Sequence, residues 1–121
     1  MAKIQPSELL ETLTHFTGTT QWYKNQLFPS FKFTDGVKYL ADQAECYWLI
    51  DYIFSNQSIP KIKEQAFQVW KISLADNKAT IQVEDGNDNI IQSFEIEFTD
   101  FPLPSFTLWF VNQVLLLPSE Y

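Results

Sequence analysis

The hydrophobic pattern changes its period about halfway along the chain. Before residue 65, apolar side chains recur every three or four positions, as in "PSELLETLTHF" (residues 6–16) and "ECYWLIDYIFS" (residues 45–55). After residue 66, short runs rich in aromatic and branched residues alternate with polar ones. The first period is typical of amphipathic helices and the second of strands. The pattern therefore predicts an α+β fold in which helices precede a sheet.

Three elements are predicted in the first half. Pro6 and Ser7 ahead of the first apolar repeat predict a capped helix that ends near Gly18. The Thr-Asp-Gly turn signal at residues 34–36, between alternating residues, predicts a hairpin over residues 31–41. Asp42 and Glu45 form a capping-box spacing, so a second helix is expected to begin near residue 43.

Five strands are predicted in the second half, separated by turn-forming residues. They are "FQVWKISL" (67–74), "KATIQVE" (78–84), "NIIQSFEIEF" (89–98), "FTLWF" (106–110) and "VLLL" (114–117). Consecutive strands with short connections favour an antiparallel arrangement. We therefore predict an antiparallel meander sheet of four to six strands, with two N-terminal-half helices packed on one face. Residues 1–121 are expected to form a single domain.

Charge is distributed unevenly along the chain. The net charge is −7, yet every lysine lies at or before Lys78 and the chain contains no arginine. Residues 79–121 hold seven acids, at positions 84, 85, 88, 95, 97, 100 and 120. Because nucleic-acid affinity depends on neutralising phosphates, direct nucleic-acid binding is not expected.

The acidic residues of the strands suggest a surface. Alternation places Glu84, Glu95 and Glu97 on one solvent face if the strands at 78–84 and 89–98 pair. Such a face usually keeps a strand soluble and protects its edge. The alternative is a contact surface for a basic protein, through which the chain acts as an acidic inhibitor or nucleic-acid mimic.

Asp51 is the one acid in the apolar helix "ECYWLIDYIFS". An isolated buried carboxylate is costly, so we expect a structural acid paired with Lys38 or a tyrosine hydroxyl. The alternative is an enzyme or small-ligand binder with a pocket near Asp51, to which Cys46 or His15 would contribute. One cysteine and one histidine are too few for an intrachain disulfide or a Cys/His metal site, and no metal or cofactor is predicted.

The chain shows no apolar run of about 18 residues and no secretory signal, so a cytoplasmic protein without membrane contact is expected. The aromatic residues, 17% of the chain, are also compatible with a homodimer formed through a sheet edge or an apolar patch.

Four segments carry a resemblance. The strings "FTDGVKYLADQAECYWLIDYI", "FQVWKISL", "IEFTDFPL" and "VLLLPSEY" together resemble an uncharacterised family of short bacterial proteins, a domain of unknown function. The resemblance implies an intracellular bacterial protein, often carried on mobile elements, and supplies no catalytic residue. Within the signature, Trp22, Tyr23 and Trp48 are predicted to unite around a groove, and Tyr121 is predicted to pack against the domain.

Taken together, these features predict a small non-enzymatic protein-interaction or accessory domain. The acidic inhibitor and the enzyme or ligand binder near Asp51 stay open as alternatives.

Overall fold

The computed structural model describes residues 5–17, 21–25, 27–76, 78–87, 89–97 and 103–121. These residues form four α-helices: α1 (Pro6–Leu13), α2 (Asp35–Ala44), α3 (Tyr47–Ser55) and α4 (Pro60–Lys63). The strands are β1 (Trp22–Lys24), β2 (Lys32–Thr34), β3 (Phe67–Ala75), β4 (Lys78–Glu84), β5 (Ile90–Ile96), β6 (Ser105–Val111) and β7 (Val114–Leu116). Two 3₁₀ turns span Asn56–Ser58 and Pro118–Glu120.

The predicted α+β class is confirmed, whereas the predicted four-to-six-stranded antiparallel meander is not. The described strands form one mixed sheet of seven, in the order β1-β2-β7-β6-β3-β4-β5. β2 and β7 pair in parallel through Lys32↔Val114 and Phe33↔Leu115, and the other neighbours are antiparallel. The parallel pair arises because a short N-terminal hairpin, β1–β2, joins the edge that β7 would otherwise present.

The five strands predicted in the second half all form. β4 has the predicted bounds, the other four differ by one or two residues, and residue 98, the predicted end of the third strand, lies outside the described residues. Their register keeps apolar residues opposite one another, as in Ile72↔Ile81 and Trp70↔Leu108. A one-residue slip would move a whole apolar row to the opposite face, so the alternation fixes the pairing strongly.

The predicted hairpin over residues 31–41 is wrong beyond its first strand. The Thr34 hydroxyl accepts a hydrogen bond of 3.2 Å from the Val37 N–H, which caps α2 at the position where a turn was expected. Val37, Leu40 and Ala44 are buried, at the spacing of one helical face. The same Thr-Asp-Gly sequence therefore starts a helix, because the apolar residues that follow it have a buried side to fill.

The predicted helix start near residue 43 is also wrong. α2 continues to Ala44, and Glu45 closes it in the left-handed conformation, with φ of 54°. The Cys46 N–H then donates to the Ala41 carbonyl at 3.0 Å, a bond that satisfies the helix end before α3 begins at Tyr47. Asp42 lies inside α2 and caps nothing. The first helix, in turn, ends at Leu13, short of the expected Gly18, and no side-chain bond caps its start.

The described helices contribute to one hydrophobic core on one face of the sheet. Core-facing strand residues such as Trp70, Ile81 and Leu108 are fully buried with Leu9 of α1 and Ile53 of α3. Alternate residues of the same strands point to the other side, where the ring of Tyr121 packs on Trp109 and Phe67. We call this side the open face. None of the helices in the described ranges is long and apolar enough to cross a membrane.

Gly36 gives a test of how tightly the sheet edge and α2 are packed. A Cβ there would lie 2.7 Å from Glu120 Oε1 and 2.7 Å from Leu117 Cδ1. Alanine normally stabilises a helix by about 1 kcal/mol relative to glycine. We expect Gly36→Ala to reverse this sign and destabilise the fold by about 1–3 kcal/mol, as overpacking does. Urea unfolding measures the change, with Gln43→Ala in the same helix as control. A Gly36→Ala protein more stable than the wild type would contradict the packing described.

Candidate functional site

The open face carries a row of apolar side chains that crosses the sheet. Backbone pairing aligns Leu116 with Trp109, Trp109 with Val69, and Val69 with Glu84 and then Ile90. At the other edge, Trp22 pairs with Thr34 of β2. We call these five apolar residues the open-face row: Trp22, Leu116, Trp109, Val69 and Ile90.

Tyr121 lies over the middle of this row. Its ring packs edge-on against Trp109, at 5.3 Å between ring centroids, and against Phe67, at 5.8 Å. The prediction that Tyr121 packs against the domain is therefore confirmed. Tyr121 as a whole is nevertheless 73% exposed, and Trp22 and Ile90 at the two ends of the row are 58% and 55% exposed, whereas Leu116 and Val69 between them are buried. Large exposed apolar residues gathered on one face are typical of contact surfaces.

Charged residues border the row with opposite signs at its two edges. Lys24 and Lys32 pair directly across β1 and β2 and are exposed. Like charges in such a pair destabilise it unless an acid lies near. At the opposite edge, Glu95 lies on β5 beside Thr80, and Glu97 follows the strand; both are exposed. Lys78, also exposed, begins the neighbouring strand β4.

Glu84 differs from the other two glutamates of the predicted acidic surface. The register places Glu84 and Glu95 on the same face, as alternation suggested, but at opposite ends of the β4–β5 pair. Glu84 is buried, and its carboxylate lies 3.2 Å from Lys71 Nζ on the neighbouring strand β3. Lysines from earlier in the chain thus enter the same face as the later glutamates. A contact role for Glu84, Glu95 and Glu97 stays a prediction.

The predicted aromatic trio does not meet in one place. Tyr23 turns to the helix-covered face, where its ring stacks on Phe33 at 5.7 Å and faces Lys38 Nζ at 5.5 Å. Trp22, one residue earlier, points to the open face because successive strand residues alternate. Trp48 packs against the core from α3. Of the three, only Trp22 belongs to the open face.

A groove does lie beside Asp51, with a volume of about 430 Å³. Its described lining residues are Lys24, Asn25, Leu27, Phe33, Tyr47 and Asp51. Asp51 Oδ1 accepts a hydrogen bond of 2.8 Å from Asn25 Nδ2, and Asn25 Oδ1 accepts from the N–H groups of Leu27 and Phe28. Asp51 is therefore a half-buried acid that holds the β1–β2 connection in place through Asn25. Its hydrogen-bond partner is Asn25 and not the predicted Lys38 or tyrosine hydroxyl.

Lys38 and Tyr47 are instead bound to Asp42. Asp42 accepts from the Tyr47 hydroxyl at 2.5 Å and from Lys38 Nζ at 2.9 Å. Burial, together with the hydrogen bond to the Asp42 carboxylate, raises the pKa of Tyr47 to about 12. Burial acts to raise the pKa of Asp42, but the bonds from Tyr47 and Lys38 outweigh it and lower that pKa. Tyr47 consequently stays protonated and supplies a hydrogen-bond donor, not a base.

Cys46 and His15, the other residues considered for an enzyme site, differ in their exposure to solvent. Cys46 is buried, with its sulfur 3.9 Å from the Leu40 carbonyl oxygen, whereas His15 is exposed beyond the end of α1. Within the described ranges, no three His, Cys, Asp or Glu side chains form a group that could hold a metal ion.

Glu120, a polar residue of the family signature, would be expected at the surface, but its carboxylate lies inside the fold. It is buried and accepts from the Thr34 hydroxyl at 2.6 Å, the Leu117 N–H at 3.0 Å and the Gly36 N–H at 3.3 Å. Nearby, the Ser119 hydroxyl donates to the Phe16 carbonyl at 2.7 Å. The segment "PSEY" is thereby attached to "FTDG", which connects two segments of the family signature. We call this set of bonds the Glu120 anchor.

Burial raises the pKa of Glu120 above its usual range. The bonds from Thr34, Leu117 and Gly36 lower the pKa, while a hydrogen bond with the Asp35 carboxyl raises it, and the net shift is upward. Two carboxyl groups therefore face each other at the start of α2. The neighbouring carboxyl disfavours the charged form of Glu120.

A family model matches residues 7–121 of the chain, which include all the described strands and helices except Pro6, the first residue of α1. The chain belongs to the DUF6876 family, a family of unknown function. The DUF6876 match includes all residues of the Glu120 anchor and the whole open-face row. No curated protein and no solved structure matches the chain.

The raised pKa of Glu120 predicts a specific pH dependence. A carboxyl whose pKa is higher in the folded than in the unfolded state stabilises the fold below its unfolded pKa, near 4.5, and loses that contribution as pH rises through the folded value. Glu120→Gln cannot titrate. We therefore expect the unfolding free energy of Glu120→Gln, minus that of the wild type, to increase from pH 4.5 to pH 7. Urea unfolding at several pH values measures it, and a difference that falls with pH would contradict the assignment.

Proposed function

We propose that this chain is a non-enzymatic protein-interaction domain whose contact surface is the open face of its sheet. The observation that carries the proposal is the open-face row, whose two ends and whose covering ring, Tyr121, are each more than half exposed. Aromatic residues are enriched in protein contacts because they bury a large area with few rotatable bonds. A cytoplasmic location and a single domain over residues 1–121 accompany this proposal.

The partner that the surface favours most is a second copy of this chain. One edge of the open face bears Lys24 and Lys32, and the opposite edge bears Glu95 and Glu97, with apolar residues between. When two copies pack their open faces together about a two-fold axis, the basic edge of one copy can lie over the acidic edge of the other. This pairing also covers the open-face row. The lysine pair of each copy would then lie near the carboxylates of the other copy.

The acidic inhibitor of a basic protein is the second candidate. The exposure of Glu95 and Glu97 on the edge strand favours it. The lysines that share the open face weaken it, since they reduce the negative field that would attract a basic partner. An enzyme with Asp51 as its acid is less favoured, because Asp51 is engaged in holding Asn25.

Charge reversal tests the homodimer. We expect Lys24→Glu/Lys32→Glu and Glu95→Lys/Glu97→Lys each to weaken self-association by about tenfold or more, because each creates like-charge contacts. Combining the two double substitutions in one protein should restore self-association. Trp22→Ser should weaken association in every background. Sedimentation equilibrium over a concentration series measures the dissociation constant.

The matched control for Glu95→Lys/Glu97→Lys is Glu8→Lys/Glu11→Lys, which makes the same change in net charge on two exposed residues of α1. It should leave association unchanged. A wild-type protein that stays monomeric at all concentrations, or a combined variant without recovery, overturns the homodimer. If that monomer retains a basic protein from bacterial lysate and Glu95→Lys/Glu97→Lys does not, the second candidate replaces it.

A further inference from the structure

A second concavity lies at the end of the fold where four connections converge. It has a volume of about 380 Å³ and opens between the β1–β2 connection, the end of α3, the α4–β3 connection and the β6–β7 turn. The lining comprises Phe28, Phe31, Phe54, Ser55, Gln57, Ser58, Lys63, Gln65, Ala66, Gln68, Phe110, Asn112 and Gln113. Loops carried by a rigid scaffold are a common location for ligand sites. We call this concavity the phenylalanine pocket.

Aromatic rings form its floor. Phe31 packs against Phe54 at 5.2 Å and meets Phe110 edge-on at 5.5 Å, with an interplanar angle of 89°. Phe28 stacks on Phe31 from the loop side at 6.3 Å. Phe54 and Phe110 are buried, whereas Phe28 and Phe31 are partly exposed. These rings offer an apolar surface on which a flat molecule can lie.

One wall of the pocket is a pair of carboxamides held in fixed positions. Gln57 and Gln68 are both buried and donate to each other, at 2.9 and 2.8 Å. Gln68 also donates to the Ile62 carbonyl at 2.9 Å and accepts from Trp70 Nε1 at 2.9 Å. Because these bonds restrict both side chains, the wall is preorganised before any ligand arrives.

The rest of the polar lining is mostly uncharged. Gln65, Asn112 and Gln113 add three more carboxamides, each able to donate and to accept. Lys63 is the one charged side chain among the described lining residues, and no acid is among them. This chemistry matches the donor and acceptor edge of a neutral heterocycle better than it matches an ion, because carboxamides pair with such edges by two bonds at once.

The β6–β7 turn holds two of these carboxamides in an unfavourable backbone conformation. Asn112 and Gln113 both have positive φ, 51° and 66°. Glycine is the favoured residue at the second position of such a hairpin turn, since a side chain there is strained. The chain instead places a glutamine, whose side chain lines the pocket. Strain retained at a pocket points to a role for that side chain.

We propose that the phenylalanine pocket binds an uncharged, flat heteroaromatic molecule of nucleobase to nucleoside size. Its ring lies on the phenylalanine floor and its polar edge bonds to the carboxamides of the rim. The site lies apart from the open-face row and does not depend on the proposed self-association. The ligand is a free small molecule, because the chain has a net charge of −7 and no arginine with which to hold a phosphate backbone.

Adenosine, uridine and nicotinamide serve as probes. Each is titrated to millimolar concentration into the ¹⁵N-labelled full chain while amide shifts are followed. We expect at least one probe to shift the backbone and side-chain amides of Gln65, Gln68 and Gln113 in a saturable manner. Gln113→Gly should bind about tenfold more weakly, since one carboxamide is lost, while its unfolding midpoint stays equal or rises because the strain is relieved.

Two further variants complete the test. Ala66→Trp fills the pocket from an exposed position and should abolish binding. Asp76→Gly relieves a positive φ of 54° in the β3–β4 turn, at the other end of β3, and should leave binding unchanged. Absence of saturable shifts for all three probes overturns the proposal. So does unchanged binding in Gln113→Gly and Ala66→Trp, or tighter binding of an adenine oligonucleotide than of adenosine.

Discussion

The Glu120 anchor is the interaction on which the arrangement of this fold depends. The β1–β2 hairpin is short, and β2 joins the sheet through only two residue pairs with β7. Such a pairing is weak by itself. The Glu120 carboxylate adds three bonds to the same junction: one to the Thr34 side chain that caps α2, one to the Gly36 backbone and one to Leu117. It thereby couples β2, α2 and the segment after β7 in one network.

The anchor also shapes the open face. Because Glu120 is fixed beneath α2, the next residue, Tyr121, reaches across to Trp109 and Phe67. The β2 pairing that the anchor supports carries β1, and with it Trp22 and the Lys24–Lys32 pair. Both the covering ring and the basic edge of the proposed contact surface are thus positioned by a single buried acid. Burial of that acid has an electrostatic cost, and the hydrogen bonds from Thr34, Gly36 and Leu117 offset part of it.

Alternation predicted the sheet's second half well, and local signals failed where a distant segment decides the outcome. The runs from residue 67 onward form strands as expected because their apolar residues have one possible buried side. Their order differs from the predicted meander, because β6 pairs with β3 and not with β5. Thr34-Asp35-Gly36 was interpreted as a turn, since nothing nearby shows that Thr34 caps a helix and bonds to Glu120, 86 residues away. Glu45 ends α2 in a left-handed conformation without glycine, so no sequence signal marks the break.

For the candidate sites too, local sequence patterns predicted some features, and contacts between distant segments decided the others. Glu84 and Glu95 could be assigned to one face from period-two alternation. Trp22 could not, because no strand was predicted around it, and Trp48 could not be placed beside Trp22 without knowing how α3 lies on the sheet. Lys71 shares the open face with Glu84 because β3 and β4 are neighbours, which a count of charges along the chain does not register. The phenylalanine pocket combines residues from four separate connections and has no linear motif.

Amide hydrogen exchange on Glu120→Ala, compared with the wild type at pH 7, tests the role of the anchor most directly. Local opening without global unfolding is expected where the lost bonds were the main support. The account predicts that amides of Tyr23, Phe33 and Val37 lose protection while those of Ile72 and Ile81 in the central sheet keep it. Equal loss across all five amides, or no loss at the first three, would contradict the claim that Glu120 holds the β1–β2 edge and α2 together.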